Sequence, residues 1–271
     1  MKIDFIIPHL NYKRLRKTLE SLRKNTPPEN VGKIILIDCN KDYQSVDDLI
    51  DVHIRIENQG FARNNNLGIR ISDAEYVATW NDDCEAIHPK WVQGIEETFR
   101  RYDTALCVNL SSPRNPISSG GPPADHVDFE YKEEYSEEEY DRMVTEIGKG
   151  HIYDGICMFA PVFKREMLEK LPGIIPGKCY FDEYYYPGGG EDYDMNRRAY
   201  LSGMRCLGTG LSFGYHWWYS TKNEHGEAKV KYDGGLFDKK WGIWENEELK
   251  ERPDIYGKNG KKEIPQNTIR E

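Results

Sequence analysis

A chain of 271 residues with 38% hydrophobic and 31% charged residues can bury a sizeable core as one large α/β domain or two small ones, and its polarity is that of a globular protein in water. A formal net charge of -9 argues against a broad electrostatic nucleic-acid surface, and no run approaches the roughly 18 apolar residues that span a bilayer. Six scattered cysteines, at 39, 84, 107, 157, 179 and 206, lack metal-knuckle spacing and read as core residues of a reducing compartment. Met1-Lys2 leads straight into a strand-like segment without a signal-peptide pattern, so a cytoplasmic location is expected.

Ile3-Asp4-Phe5-Ile6-Ile7, cut by Pro8, predicts a buried strand. Leu15, Leu19 and Leu22 recur at helical spacing and predict an amphipathic helix over 12–25, stopped by Pro27-Pro28. A second apolar strand is expected over 33–38, ending in Asp38, then a short helix over 45–51 and a third strand over 53–56. The polar segment Asn58-Gln59-Gly60-Phe61-Ala62-Arg63-Asn64-Asn65-Asn66-Leu67-Gly68-Ile69 precedes a strand over 74–80 that ends abruptly in Asn81-Asp82-Asp83. Such residues sit at a strand tip only where they meet water, a cation or a ligand; an ordinary Asn/Asp turn accounts for them as well.

Trp91, Ile95 and Phe99 predict a helix over 89–102, followed by a strand over 105–110. Alternating strands and helices with near-continuous apolar strands indicate an α/β fold with a mostly parallel sheet covered on both faces. In such sheets ligands bind outside the carboxyl ends of the strands. Three strand ends therefore deliver polar groups to one crevice: His9 and Asn11, Asp38, and Asn81 to Asp83.

Residues 111–150 change composition, with loop chemistry first and an acidic, aromatic, helix-compatible stretch over 130–146, and read as an insertion that covers a substrate or as a solvated excursion. A strand over 155–160 and a short helix over 164–170 follow. Gly188-Gly189-Gly190-Glu191-Asp192-Tyr193-Asp194 then opens a helix running to Leu201. Glycines there permit close approach or a hinge. Helix-dipole complementarity explains acidic residues in a first turn, but three in four positions exceed that need. The expected organisation is a domain over 1–221, with a first half (1–110), the insertion (111–150) and a second half (151–221), then an extension over 222–271. Phe237, Trp241 and Trp244 give that extension the character of a packing or partner-binding segment.

The order of these motifs resembles the inverting glycosyltransferases of family 2, which have the GT-A fold, across roughly residues 2 to 220. Ile7-Pro8-His9-Leu10-Asn11 is similar to the family's first strand end, and Ile37-Asp38-Cys39-Asn40 to the second, whose aspartate contacts the nucleotide base. The 58–69 segment is similar to N-x-G-F-x-x-A-N-N-x-G-I, which the resemblance sets beside the nucleotide sugar through Gly60, Arg63 and Asn66. The family's metal-binding D-x-D falls on Asn81-Asp82-Asp83, with Asn in the first place. The resemblance implies that Asp83 holds the metal with Asn81 and Asp82 near the donor, and that His216, in H-x-x-x-S with Ser220, completes the metal site. Gly190-Glu191-Asp192-Tyr193-Asp194 looks like the family's G-E-D-x-D, implying Asp192 as catalytic base with Glu191 beside it.

The implied cofactor is Mn²⁺ or Mg²⁺, the donor a UDP-, GDP- or dTDP-linked sugar, and the acceptor a saccharide or other hydroxyl-bearing molecule. Among acceptors a modified nucleobase stays open; nucleic acid is otherwise not expected. Two alternatives remain. A nucleotidyltransferase would carry a glycine-rich early loop, which Pro8 to Arg14 lacks. A nucleotide-sugar-binding module without catalysis is consistent with Asn81.

Overall fold

The computed structural model describes residues 1–10, 12–41, 45–113, 131–154, 158–172 and 179–217, together with Phe237 and Lys240. Nine strands and six α-helices are formed among them: β1 (Ile3–His9), α1 (Tyr12–Asn25), β2 (Val31–Asp38), β3 (Val52–Arg55), α2 (Phe61–Ile71), β4 (Tyr76–Thr79), β5 (Cys84–Ala86), α3 (Trp91–Arg101), β6 (Ala105–Ser111), α4 (Glu137–Arg142), β7 (Ile152–Asp154), β8 (Pro161–Lys164), α5 (Arg165–Leu168), α6 (Glu191–Leu201) and β9 (Arg205–His216). No helix among the described residues is long and apolar enough to cross a membrane.

The strands lie in the order β3-β2-β1-β4-β8-β6-β9-β5, with β7 also paired to β9. Strands β1 to β4 are mutually parallel. Strand β8 runs against both β4 and β6, which leaves β6 and its parallel partner β9 pointing the same way as β1. Only β5, β7 and β8 oppose that direction among the described strands. The sheet is therefore mostly parallel, as the apolar strand runs imply.

Alternation along β1 feeds two layers. Ile3, Phe5 and Ile7 pack with Leu15, Leu19 and Leu22 of α1 and with Trp80 and Trp91, while Ile6 joins Ile35, Ile37, Ile69 and Met195 on the other face. The three α1 leucines are fully buried, each contributing about 2 kcal/mol by apolar area. On the second face Gly68 brings α2 directly onto β1, since a Cβ there would lie 2.2 Å from Ile6 Cγ2. Ser136 opens α4 with a capping box, its Oγ accepting from Glu139 N while Glu139 Oε2 accepts from Ser136 N.

Two expectations are corrected, and further strands are present. Residues 45–51 form turns instead of a short helix. The strand expected over 155–160 is β8, beginning at Pro161; residues 158–160 are irregular and 155–157 lie outside the described residues. Strands β5 and β9 are additional: β5 is too short for periodicity to register, and the glycines of β9 blur its alternation.

Candidate active site

Strands β2 and β3 lie on one side of β1 and β4 on the other, so the sheet's direction of growth reverses between β1 and β4. Ligand crevices open at the carboxyl end of such a reversal because the loops diverge there. His9 closes β1 and Asp82 follows β4, and His9 Nδ1 lies 2.9 Å from Asp82 Oδ2. Leu10 N donates to the same oxygen at 3.3 Å, and Thr18 Oγ1 donates to Asp82 O at 2.9 Å. Asp82 is thus tied to the start of α1. Pro8 still pairs with Ile37 of β2 but lies past the last β1–β4 pair, at Ile6 and Thr79. Asn11 lies outside the described residues.

Asp83 turns the other way. Antiparallel pairing of β5 with β9 sets Cys84 opposite His216, and Asp83 Oδ1 is 3.3 Å from His216 Nε2. Trp217 N donates to Asp83 O at 3.0 Å, fixing the backbone of the pair. The imidazole stacks on Phe159 with centroids 4.7 Å apart, and Ser112 Oγ accepts from His216 N at 3.2 Å. Cys84 Sγ joins the pair, the three donor atoms lying within 4.8 Å of one another. One carboxylate oxygen, one imidazole nitrogen and one sulfur form a set that fits a divalent transition metal. Sequence reasoning treated Cys84 as a core residue, because its proximity to His216 arises from the β5–β9 register. Asn81 shapes the turn through its backbone, donating to Phe159 O at 2.9 Å and accepting from Cys84 N at 3.0 Å.

Residues expected beside the donor are engaged with the protein itself. Asp38 is fully buried, its Oδ2 3.1 Å from His53 Nε2 and 3.6 Å from Arg55 Nε, while Oδ1 accepts from Asn40 N at 3.0 Å. Gly60 adopts φ 86°, and a Cβ there would meet Tyr186 Cδ2 at 2.8 Å and Pro187 O at 3.0 Å. Phe61 N donates to that same Pro187 O at 3.0 Å, and Arg63 Nε to Glu183 Oε2 at 2.7 Å.

Asn66 holds a loop that follows it by more than a hundred residues. Buried completely, it accepts from Tyr180 N and Phe181 N and donates to Phe181 O and Glu183 Oε1. Its amide is engaged at both ends and clamps the 180–183 chain onto α2. Because α2 starts where parallel β3 ends, this clamp delivers the 180–190 loop to the carboxyl edge of the sheet.

Helix α6 starts from that loop, and its three acidic residues have different surroundings. Asp194 is fully buried, accepting from Arg198 Nε at 2.7 Å and from Tyr185 OH at 3.3 Å. Glu191 is 7% exposed and accepts from Gly189 N at 2.5 Å. Burial, then the neighbouring charge of Asp192, push its carboxyl well above the ordinary carboxylate range. Asp192 is only partly buried, and its Oδ1 accepts from Tyr193 N at 2.9 Å. Expected as a catalytic neighbour, Glu191 is a buried acid beside a more accessible Asp192.

The family model for glycosyl transferase family 2 matches residues 4–171. The match thus includes Asp83 but ends before α6 and His216. No curated protein sequence matches the chain. Similar solved structures include GalNAc-T7 with UDP, GalNAc and Mn²⁺ (TM-score 0.58, 17% identity, 79% of this chain and 43% of that one). TarS 1-349 of S. aureus gives a TM-score of 0.52 at 14% identity, over 80% of this chain and 60% of that one. The mannosyltransferase PcManGT of Pyrobaculum calidifontis, in complex with GDP-Man and Mn²⁺, gives 0.54 at 15%, over 98% and 67%. The chain spans less than half of the first of these and about two thirds of the last, and at such identities the likeness is one of fold. With the family match covering more than half of its residues and its sheet repeated in these structures, the chain belongs to glycosyl transferase family 2 and has the GT-A fold.

Proposed function

We propose that the chain transfers a sugar from a nucleotide-sugar donor to an acceptor hydroxyl with inversion at the anomeric carbon, using a divalent metal and Asp192 as general base. The observation that carries this reading is that the Asp83–His216 pair stands at the carboxyl end of β9 while the loop leading to Asp192 is held at the start of α2, which follows the carboxyl end of β3. Asp83 and His216, with Cys84 beside them, would hold Mn²⁺ or a similar cation. When bound, such a cation stabilises the negative charge of a departing diphosphate.

The chain's own groups do the rest. Asp192 accepts the acceptor's hydroxyl proton as that oxygen bonds to the anomeric carbon and the bond to the diphosphate oxygen breaks. A well-placed base contributes about 10²–10⁴ in rate, and a single displacement implies inversion. Glu191, protonated near neutrality by its burial, cannot compete for that proton. His9 and Leu10 N hold Asp82 at the switch point, and the Gly60–Asn66 face of α2 holds the loop that leads to α6. Asp38 acts through His53 and Arg55, whose side chains it orients at the β2–β3 edge.

A thermal-shift screen of UDP-, GDP- and dTDP-sugars with and without Mn²⁺, followed by product mass, tests the reading. Stabilisation by one nucleotide class that requires Mn²⁺, with slow hydrolysis of its sugar, supports an enzyme. Binding without any turnover leaves a nucleotide-sugar-binding module. No stabilisation by any donor sinks the proposal.

A further inference from the structure

Lys240 reaches from the C-terminal region to two carboxylates that the rest of the fold has buried. Its Nζ donates to Asp182 Oδ2 and to Asp194 Oδ1, each at 2.5 Å, and the two acidic side chains are 3% and 0% exposed. The ammonium also lies 5.6 Å from the centroid of the Tyr185 ring, whose hydroxyl donates to Asp194 Oδ1. Phe237 is buried with its ring 6.0 Å from that of Tyr193. The Phe237 Cβ lies 3.5 Å from where a Cβ on Gly190 would stand. Two side chains of this segment thus touch both flanks of the α6 start.

Charge decides what Lys240 does there. Arg198 Nε serves Asp194, and Lys240 is the cation that bridges Asp194 to Asp182. Buried carboxylates that lose their cation are relieved by taking up a proton or by moving toward water. Without Lys240, Asp194 keeps Arg198, whereas Asp182 keeps the Tyr184 N–H, and movement of Asp182 toward water would shift the chain between the two carboxylates, which includes the Gly188–Gly190 run and Glu191-Asp192. The acidic residues that exceed what dipole complementarity needs are accounted for by this bridge, since Asp194 is a partner of Lys240 and Arg198.

We propose that Lys240 is a positioning residue for Asp192: by pairing Asp182 with Asp194 it pins the start of α6 to the 182–185 turn. This deepens the glycosyltransferase reading and rests on it for the role of Asp192. The test uses the full chain with Lys240→Met, Lys240→Arg and the double variant Lys240→Met/Asp182→Asn. Amide hydrogen exchange is followed at Tyr185, Gly189, Tyr193 and Asp194, together with donor affinity and kcat on the donor found in the screen.

Lys240→Met should exchange at least 10-fold faster at those amides and lose at least 10-fold in kcat, with donor Kd within 2-fold of wild type. Lys240→Arg should recover most of both losses, whereas the double variant, relieved of the unpaired charge but without the bridge, should fold and keep the faster exchange. Unchanged exchange in Lys240→Met overturns the proposal, as does faster exchange with unchanged kcat. A Lys240→Met chain that does not fold while the double variant folds with faster exchange supports it; a double variant that folds with normal exchange, or failure of both to fold, overturns it. If wild type turns over no nucleotide sugar, the glycosyltransferase reading falls by itself, and the exchange comparison still decides whether Lys240 pins α6.

Discussion

Asp83 and His216 meet at 3.3 Å because β5 and β9 pair with Cys84 opposite His216. Each is buried, and each has its backbone fixed, Asp83 O by Trp217 N and His216 N by Ser112 Oγ. A carboxylate and an imidazole preset in this way lose little freedom on taking a cation between them. Asp83→Ala is therefore expected to abolish Mn²⁺-dependent donor binding measured by calorimetry, and His216→Ala to weaken it at least 10-fold. Equal donor affinity for wild type with and without chelator would remove the metal assignment.

Cys84 gives the pair a soft neighbour. Thiolate ligands favour Zn²⁺ and Cd²⁺ over Mn²⁺. Titration with Cd²⁺ should produce a sulfur-to-metal absorption band in wild type that Cys84→Ala lacks, with Mn²⁺ affinity changed less than Cd²⁺ affinity. A wild type without the band returns Cys84 to a purely packing role.

Asp192 and Glu191 are adjacent in sequence and differ in surroundings. Asp192→Asn should keep donor affinity within about 3-fold and lose about 10²–10⁴ in transfer rate, the range for a positioned general base. Turnover by product mass and binding by calorimetry separate the two effects, and near-normal turnover would take the base role from Asp192.

Glu191 carries a pH signature in stability. Its carboxyl is pushed up to about 8 in the folded chain, by burial first and by Asp192 second, against about 4.3 unfolded. Between these values the native state holds a proton that the unfolded state has released, so this contribution to stability is complete below about pH 4.3 and lost as pH rises toward 8. Urea unfolding at pH 5.5, 6.5 and 7.5 should show wild type losing stability relative to Glu191→Gln with rising pH. A difference that stays flat or grows in the opposite sense contradicts the assignment.

Asn66 bridges two backbone N–H groups, a carbonyl and a carboxylate in a buried clamp. Asn66→Ala should cost about 2–5 kcal/mol, since each buried group left unsatisfied costs about 1–3 kcal/mol. A loss below about 0.5 kcal/mol in denaturant unfolding would mean that the 180–183 chain is held by other contacts. Donor affinity should fall only as far as the 180–190 loop moves.

The strands β1, β2 and β4 and the helices α1 and α3 are legible in the sequence because each has a long apolar period or an unbroken apolar run. So is the convergence of His9, Asp38 and Asn81 to Asp83, which follows from the parallel order of their strands. Gly60, Arg63 and Asn66 are legible as a motif, but a motif names residues and not their partners within the fold. Those partners, Tyr186 and Pro187, Glu183, and the 180–183 backbone, lie more than a hundred positions away.

Residue order and periodicity alone thus determined that this is an α/β chain with an acidic strand tip and an acidic helix start, since both are local patterns. Tertiary structure decided the division of labour among the carboxylates. Asp82 went to His9 and Asp83 to His216, Asp194 to Arg198 and Lys240, and Glu191 into the interior, leaving Asp192 nearer the surface. Burial and the charges of distant partners set the protonation and reach of a carboxylate, and both are properties of the packed fold that no spacing of acidic residues encodes.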